Sequence, residues 1–224
     1  MISEAELIVD RRRLKRRVTF WRILAVLLAI ATVAALAWSQ GWTGGDQIAR
    51  VRIDGLITGD QKTLDLLTKV REENRVKAVI VRIDSPGGTT AGSEAVYEEI
   101  RAISATKPVV AVMDTVAASG GYITALAADH IVARGNTITG SIGVIFSMPE
   151  FSKLLDTVGV TMEELKSGDL KAEPSPYKPM SEKARAASME LVMDGFAWFK
   201  GLVAERRGLP MTTVDILSDG RVYT

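Results

Sequence analysis

An α/β protein, with a mainly parallel sheet covered by helices and one membrane-spanning helix ahead of it, is what this sequence predicts. Three observations carry that prediction. Residues 23–38, ILAVLLAIATVAALAW, contain no charge. Beyond residue 47, short apolar runs alternate with stretches of helical period. Those apolar runs, such as KAVIVRID and PVVAVMD, suit strands covered on both faces. At 224 residues the chain can form one sizeable domain plus a tail.

The expected organisation is a basic tail over 1–17, a transmembrane signal anchor over 18–39, a Gly-rich linker over 40–46 and a domain over 47–224. The uncharged run alone makes about 24 Å of helix, just short of a hydrocarbon core. Val18 to Trp21 extend it past Arg22, whose side chain can snorkel to the interface. Trp21, Trp38 and Trp42 stand where aromatic belts form. Of the 28 basic and 27 acidic residues, residues 1–22 hold seven and three, so the tail is basic and the remainder mildly acidic. The arginine block precedes the apolar run, which places the N-terminus in the cytoplasm and the domain outside it. A buried core helix would need a polar face, and this segment lacks one. Ala35-Leu36-Ala37 fits a cleavage pattern, but the long charged leader favours an uncleaved anchor.

The domain reads in order as follows. IARVRID (48–54) is a strand, and 61–73 a helix with Leu64, Leu67 and Val70 on one face. KAVIVRID (77–84) is a strand, SPGGTTAG a turn, and 92–104 a helix. PVVAVMD (108–114) is a strand, GGYITALAAD a short helix and HIVAR a strand. NTITGSIGVIF is a glycine-broken extended stretch, followed by helices over 150–158 and 182–206. In such sheets the site forms from loops at the C-terminal ends of strands. Two loops qualify: DSPGG at 84–88 and the one containing Ser119.

Composition removes several function classes. There is no cysteine, which excludes disulfides, thiolate metal sites and a cysteine nucleophile. No basic stripe with interleaved aromatics runs through the domain, which argues against nucleic acid. Ser119 lies between Ala-Ala and Gly-Gly at a strand-to-helix junction. A serine nucleophile needs a base and donors for the oxyanion. The one histidine, His130, falls beyond the far end of the following helix, about 15 Å away, and reads as structural. A desolvated lysine can take the proton instead, and Lys166, Lys171 and Lys178 are open candidates. SPGG can bring backbone N–H groups close to a carbonyl, and Gly120 has an unpaired N–H at the helix start.

DSPGG (84–88), AASGGY (117–122), TGSIGV (139–144), KSGDLK (166–171) and DGRVYT (219–224) together resemble the signal peptide peptidase A family of Ser-Lys peptidases, in its short single-repeat form. The resemblance spans about residues 46–224 and implies a Clp-protease/crotonase-like fold of repeated β-β-α units. It makes Ser119 the nucleophile, Lys171 the general base, and Gly120 with Gly88 the oxyanion hole, with Ser141 a candidate for orienting the lysine. It implies no metal or nucleotide cofactor. It implies cleavage of residual signal peptides and similar apolar peptides at the bacterial inner membrane, on the periplasmic side. It also implies a homo-oligomeric ring whose sites are shared between protomers. Relatives of this kind continue beyond DGRVYT, so the domain is expected to be C-terminally truncated. Two other functions fit the same fold: a crotonase-like acyl-CoA enzyme, disfavoured by the extracytoplasmic placement, and a non-catalytic membrane scaffold.

Overall fold

The computed structural model describes residues 4–39 and 45–224. Trp42 and residues 40–44 of the expected linker lie outside them. The chain divides into two units, Met1–Asp46 and Gln47–Thr224.

The first unit is one helix, α1 (Glu4–Ser39), which runs back through the basic leader. From Arg13 to Ser39 it is long and apolar enough to cross a bilayer, with a mean hydropathy of 2.2 over its most apolar stretch. Its interior hydroxyl is satisfied locally, since Thr32 Oγ1 donates to the Leu28 carbonyl at 2.8 Å. Ser39 Oγ does the same to Leu36 at 2.9 Å. A segment without water needs its polar groups paired within itself, and this one has that property.

The second unit is built on one six-stranded sheet in the order β1-β2-β3-β5-β6, with β4 also on β3. The elements are β1 (Gln47–Ile57), α2 (Gln61–Glu72), β2 (Val76–Gly88), α3 (Thr90–Ser104), β3 (Val109–Ala118) and α4 (Gly120–Leu126). They continue with β4 (His130–Ala133), β5 (Ile138–Gly140), α5 (Ser152–Thr157), α6 (Glu182–Arg207), α7 (Met211–Leu217) and β6 (Val222–Tyr223). β1 to β5 pair in parallel and only β6 runs antiparallel, against β5. The expected parallel α/β sheet is therefore present, and its edge beyond β3 is divided. β4 pairs with the first half of β3 and β5 with the last residues.

Three local departures from the sequence reading matter for the site. β2 does not stop at Asp84 but continues through Ser-Pro-Gly-Gly, because β1 also continues and Ile57 pairs with Gly88. Pro86 has no N–H to donate, and it falls where the register jumps from Asp84 to Gly87. The stretch after residue 140 is not a strand, since β5 covers only Ile138–Gly140. α7 and β6 were not expected, and β6 brings the chain's last residues to β5.

Side chains set the element ends. Thr89 caps α3 by accepting from Gly92 N–H at 3.1 Å, and Ser181 caps α6 from Ala184 N–H at 3.1 Å. Gly208 ends α6 in the left-handed conformation at φ 61°. Lys107 Nζ donates to the last carbonyls of the α2 region, Val70, Arg71 and Glu73, at 2.7–2.8 Å. Arg206 on α6 donates to Leu126 and Ala128 carbonyls at 2.9 and 3.0 Å, which ties α6 to the C-terminal end of α4.

The sheet's core gathers Val51, Val81, Ile83, Val96, Ile100 and Ala111. A second cluster joins Ile123 and Leu126 of α4 to Phe199, Leu202 and Val203 of α6 and Val214 of α7. Ile83 is fully buried, two residues before the site. Ile83→Ala is expected to destabilise the domain by about 2–5 kcal/mol through lost burial and the cavity left behind. A denaturant titration measures this, and a loss under about 1 kcal/mol would contradict the packing described.

Candidate active site

The site starts from two adjacent strands that end in glycine turns. Ser119 follows β3 directly and has φ 51° and ψ −120°. That is a left-handed backbone at a residue with a side chain, a strain of about 1–3 kcal/mol. Three backbone bonds hold it. Its N–H donates to the Gly140 carbonyl at 2.9 Å, and its carbonyl accepts from Tyr122 and Ile123 N–H at 2.9 and 3.0 Å. The hydroxyl itself makes no hydrogen bond among the described residues. The strand therefore turns into α4 within one residue and leaves Oγ at the turn.

Gly87 lies against this turn. A Cβ on Gly87 would sit 2.9 Å from Ser119 Cβ and 3.2 Å from Oγ, and its φ is +121°. Contact distance and backbone both demand glycine. Gly88 is just as tightly restricted, since its Cβ would fall 1.8 Å from the Ile57 carbonyl. A Cβ on Gly120 would meet Ser93 Oγ at 2.2 Å and the Gly88 nitrogen at 3.1 Å. Gly88 N–H and Gly120 thus face one another beside Ser119. Gly120 opens α4, so its own N–H has no partner within the helix.

Ser85 determines which glycine N–H is free. It is fully buried. Its hydroxyl donates to the Gly55 carbonyl at 2.6 Å and accepts from Gly87 N–H at 3.1 Å. Gly87 N–H is therefore occupied, which leaves Gly88 as the candidate donor from β2. Ser93 on α3 is also fully buried, with a hydroxyl that has no partner. Sequence reasoning missed both serines. Ser85 had a visible signal, its place inside DSPGG, but Ser93 had none.

A cleft of about 60 Å³ opens beside these groups, lined by Gly88, Ser93, Ser119, Gly120, Ile123, Val144, Trp198 and Phe199 among others. Its polar surface comes from Thr90, Ser93, Ser119 and the glycine backbone, and its apolar walls from Ile123, Val144, Ile145, Trp198 and Phe199. Arg82 on β2 reaches Asp114 on β3 at 2.7 Å, joining the two strands that present the turns. That hydrogen bond holds the Asp114 carboxyl below its usual range.

The other motifs come together only in part. Gly140 and Ser141 sit next to Ser119, because Gly140 pairs with Ala118. Ser141 has φ 52°, and its N–H donates to the Arg221 carbonyl at 2.7 Å. DGRVYT follows through β6, where Val222 pairs with Gly140. Lys171 is exposed and is not among the residues lining the cleft. Lys166 and Lys178 are both bound to Glu164 and Glu173. Of the three candidate lysines, Lys171 alone has no carboxylate partner among the described residues. No cluster of potential metal ligands occurs among them either.

His130 is exposed and pairs with Val110, at the opposite end of β3 from Ser119. At about 3.3 Å per residue the separation is about 25–30 Å, longer than the roughly 15 Å expected. The earlier figure counted only the helix, while the strand returns the chain to the far end of the sheet.

A parallel sheet that presents a strained serine beside two glycine turns has the layout a serine nucleophile requires, and comparison with known proteins gives the family. A ClpP1 variant from Listeria monocytogenes has the same fold, with a TM-score of 0.50 and 17% identity, covering 77% of this chain and 80% of that one. Residues 101–224 match the family described as Peptidase family S49. The chain belongs to peptidase family S49. It is 36% identical over 205 residues to the chloroplastic serine protease SPPA of Arabidopsis thaliana, across 84% of this chain. It is 35% identical over 181 residues to Protease 4 of Haemophilus influenzae, across 80% of this chain. A Synechocystis protein is 36% identical over 190 residues, 84% of this chain and 69% of its own length. The chain spans only 30% of the Arabidopsis protein and 27% of the Haemophilus one.

The distance to His130 yields a direct expectation. His130→Asn leaves peptide hydrolysis within a few-fold of the parent rate in a protein of unchanged melting temperature. A loss of about 10⁴, the size expected for a missing triad base, would mean that histidine serves the serine after all.

Proposed function

We propose that the chain is a membrane-anchored serine endopeptidase working through a Ser119–Lys171 dyad. The observation that carries this reading is the strained Ser119 turn, packed against Gly87 with Gly88 and Gly120 close by. Neutral Lys171 takes the Ser119 proton as Oγ attacks the peptide carbonyl carbon. The carbonyl oxygen becomes an oxyanion and accepts from Gly88 and Gly120 N–H, donors already in place before reaction. The lysine then returns its proton to the leaving amine, and water releases the acyl group from Ser119. No cofactor takes part.

Several features support the finer points. The small cleft, walled on one side by Ile123, Val144, Trp198 and Phe199, suits small or apolar side chains. α1 is long and apolar enough to anchor the chain, with its basic leader on the cytoplasmic side and the peptidase domain outside. Residual signal peptides left in the bacterial inner membrane are the natural substrates for such a placement. An acyl-CoA substrate is disfavoured by the same argument.

Fluorophosphonate labelling tests the chemistry. The parent chain is expected to label, with a rate that rises with pH as Lys171 loses its proton, and Ser119→Ala to label not at all. Lys171→Arg is expected to be as inactive as Lys171→Ala, because arginine stays protonated. Normal turnover in the arginine variant would remove Lys171 from the mechanism.

Lys171 is exposed and away from the cleft of its own protomer's described surface, which supports a serine and lysine supplied by neighbouring copies. Such a contact is head-to-tail and closes into a ring. Mixed assemblies of Ser119→Ala and Lys171→Ala, each inactive alone, are then expected to regain about a quarter of the sites. If both groups act within one protomer, verified mixed assemblies stay inactive.

A further inference from the structure

Residues 158–181 contain almost no regular structure, yet a closed ring of charge binds their middle. Lys166 Nζ lies 2.9 Å from Glu164 and 2.7 Å from Glu173. Lys178 Nζ lies 3.0 Å from Glu164 and 2.5 Å from Glu173. Two cations and two carboxylates alternate, with no net charge. The Glu173 side chain is only 5% exposed. Both lysines meet its Oε1, while Oε2 is buried with no partner. Its charge therefore depends on both lysines, since a buried carboxylate without compensation is costly. Ser175 adds a hydroxyl donor to Glu164 at 3.3 Å.

Lys171 lies inside the loop that this ring closes. Its N–H donates to the Gly168 carbonyl at 3.0 Å, and Glu173 N–H to Leu170 at 3.2 Å. Ala172, between Lys171 and Glu173, has φ 59°. Two consecutive turns thus carry Lys171, and their end is anchored by Glu173. The remaining nearby charges are accounted for. Asp169 pairs with Lys183 of α6 at 2.9 Å, and Glu163 is an exposed carboxylate outside the pairs.

We propose that Glu164, Lys166, Glu173 and Lys178 form a positioning device for Lys171, one that holds its turn and keeps the loop's carboxylates neutralised so that Lys171 can give up its proton. The inference rests on Lys171 being the general base. Its electrostatic half follows from sign. An unpaired carboxylate nearby favours protonated lysine and moves its deprotonation to higher pH, while an unpaired cation does the opposite. Hydrogen bonds from Lys166 and Lys178 hold the Glu164 carboxyl down to about 2 and also lower that of Glu173. On the acid side the carboxylates are therefore fully charged at the ordinary glutamate value of 4.5, and the ring is lost there as pH falls toward about 2.

The test is the pH dependence of fluorophosphonate labelling of Ser119 in the full chain, reconstituted in detergent or bilayers. Lys166→Met leaves one carboxylate uncompensated. Its rising limb is expected at higher pH than the parent's, by up to about one unit. Glu173→Gln leaves one cation uncompensated, and its limb is expected lower. Lys166→Arg keeps the ring and is expected to coincide with the parent. Lys178→Met, at a more exposed position, repeats the upward shift if Lys166→Met melts too low to assay. A merely structural loop would lower the plateau of each variant without moving the limbs in opposite directions. Limbs that stay put, or that all move the same way, overturn the proposal. Parent-like labelling by Lys171→Ala instead overturns the choice of base, and a parent chain that does not label overturns both.

Discussion

The contact between Gly87 and Ser119 is the constraint on which the rest of the site depends. β2 and β3 are neighbours in a parallel sheet, and both end at the same edge. Each must turn there, and the two turns touch backbone to side chain with no room for a Cβ on Gly87. That closeness is kept by Ser85, whose buried hydroxyl ties the β2 turn to the Gly55 carbonyl of β1. It is kept from the other side by the bond from Ser119 N–H to Gly140. With both turns fixed, the left-handed backbone at Ser119 is over-determined by its surroundings, which is how strain of this kind persists.

Consequences extend outward from that contact. Because Ser119 turns within one residue, α4 begins at once and Gly120 keeps a free N–H next to the hydroxyl. Gly87 N–H is taken by Ser85, so Gly87 cannot serve as a donor to the serine's side of the turn. Because α6 is bound to the C-terminal end of α4 through Arg206, Trp198 and Phe199 come to wall the cleft. The cleft is therefore rigid on the side where oxygen charge would develop, which is where preorganisation has most value.

The loop bearing Lys171 is organised on a different principle. It has few buried apolar side chains, and many of its apolar residues, including Val158, Val160, Met162 and Leu165, are exposed. Packing cannot hold such a segment, so ion pairs with a nearly buried carboxylate take over that task. Exposed pairs contribute little, but a network around a desolvated charge is held far more firmly. Hydrogen bonds and close glycine contacts shape the serine turn, and charge pairing shapes this loop.

The sequence by itself determined the α/β class, the long apolar helix, the serine at a strand-to-helix junction and the irrelevance of His130 to it. Each of these follows from local pattern: an uncharged run, alternating periods, small residues at a turn, and a count of positions along one helix. It also made Gly120 readable as a candidate, at the start of a helix, while Gly88 came from the family resemblance of DSPGG. Only the tertiary structure decided that β2 runs on through SPGG, because this needed β1 to continue beside it. Only the fold brought Gly140, Ser141 and Val222 to the serine from up to about a hundred positions away. It also decided which glycine N–H is taken and which lysine lacks a carboxylate, through Ser85 and through Glu164 with Glu173. Hydrogen bonds and ion pairs depend on distances between residues far apart in the chain, and local pattern carries no information about those distances.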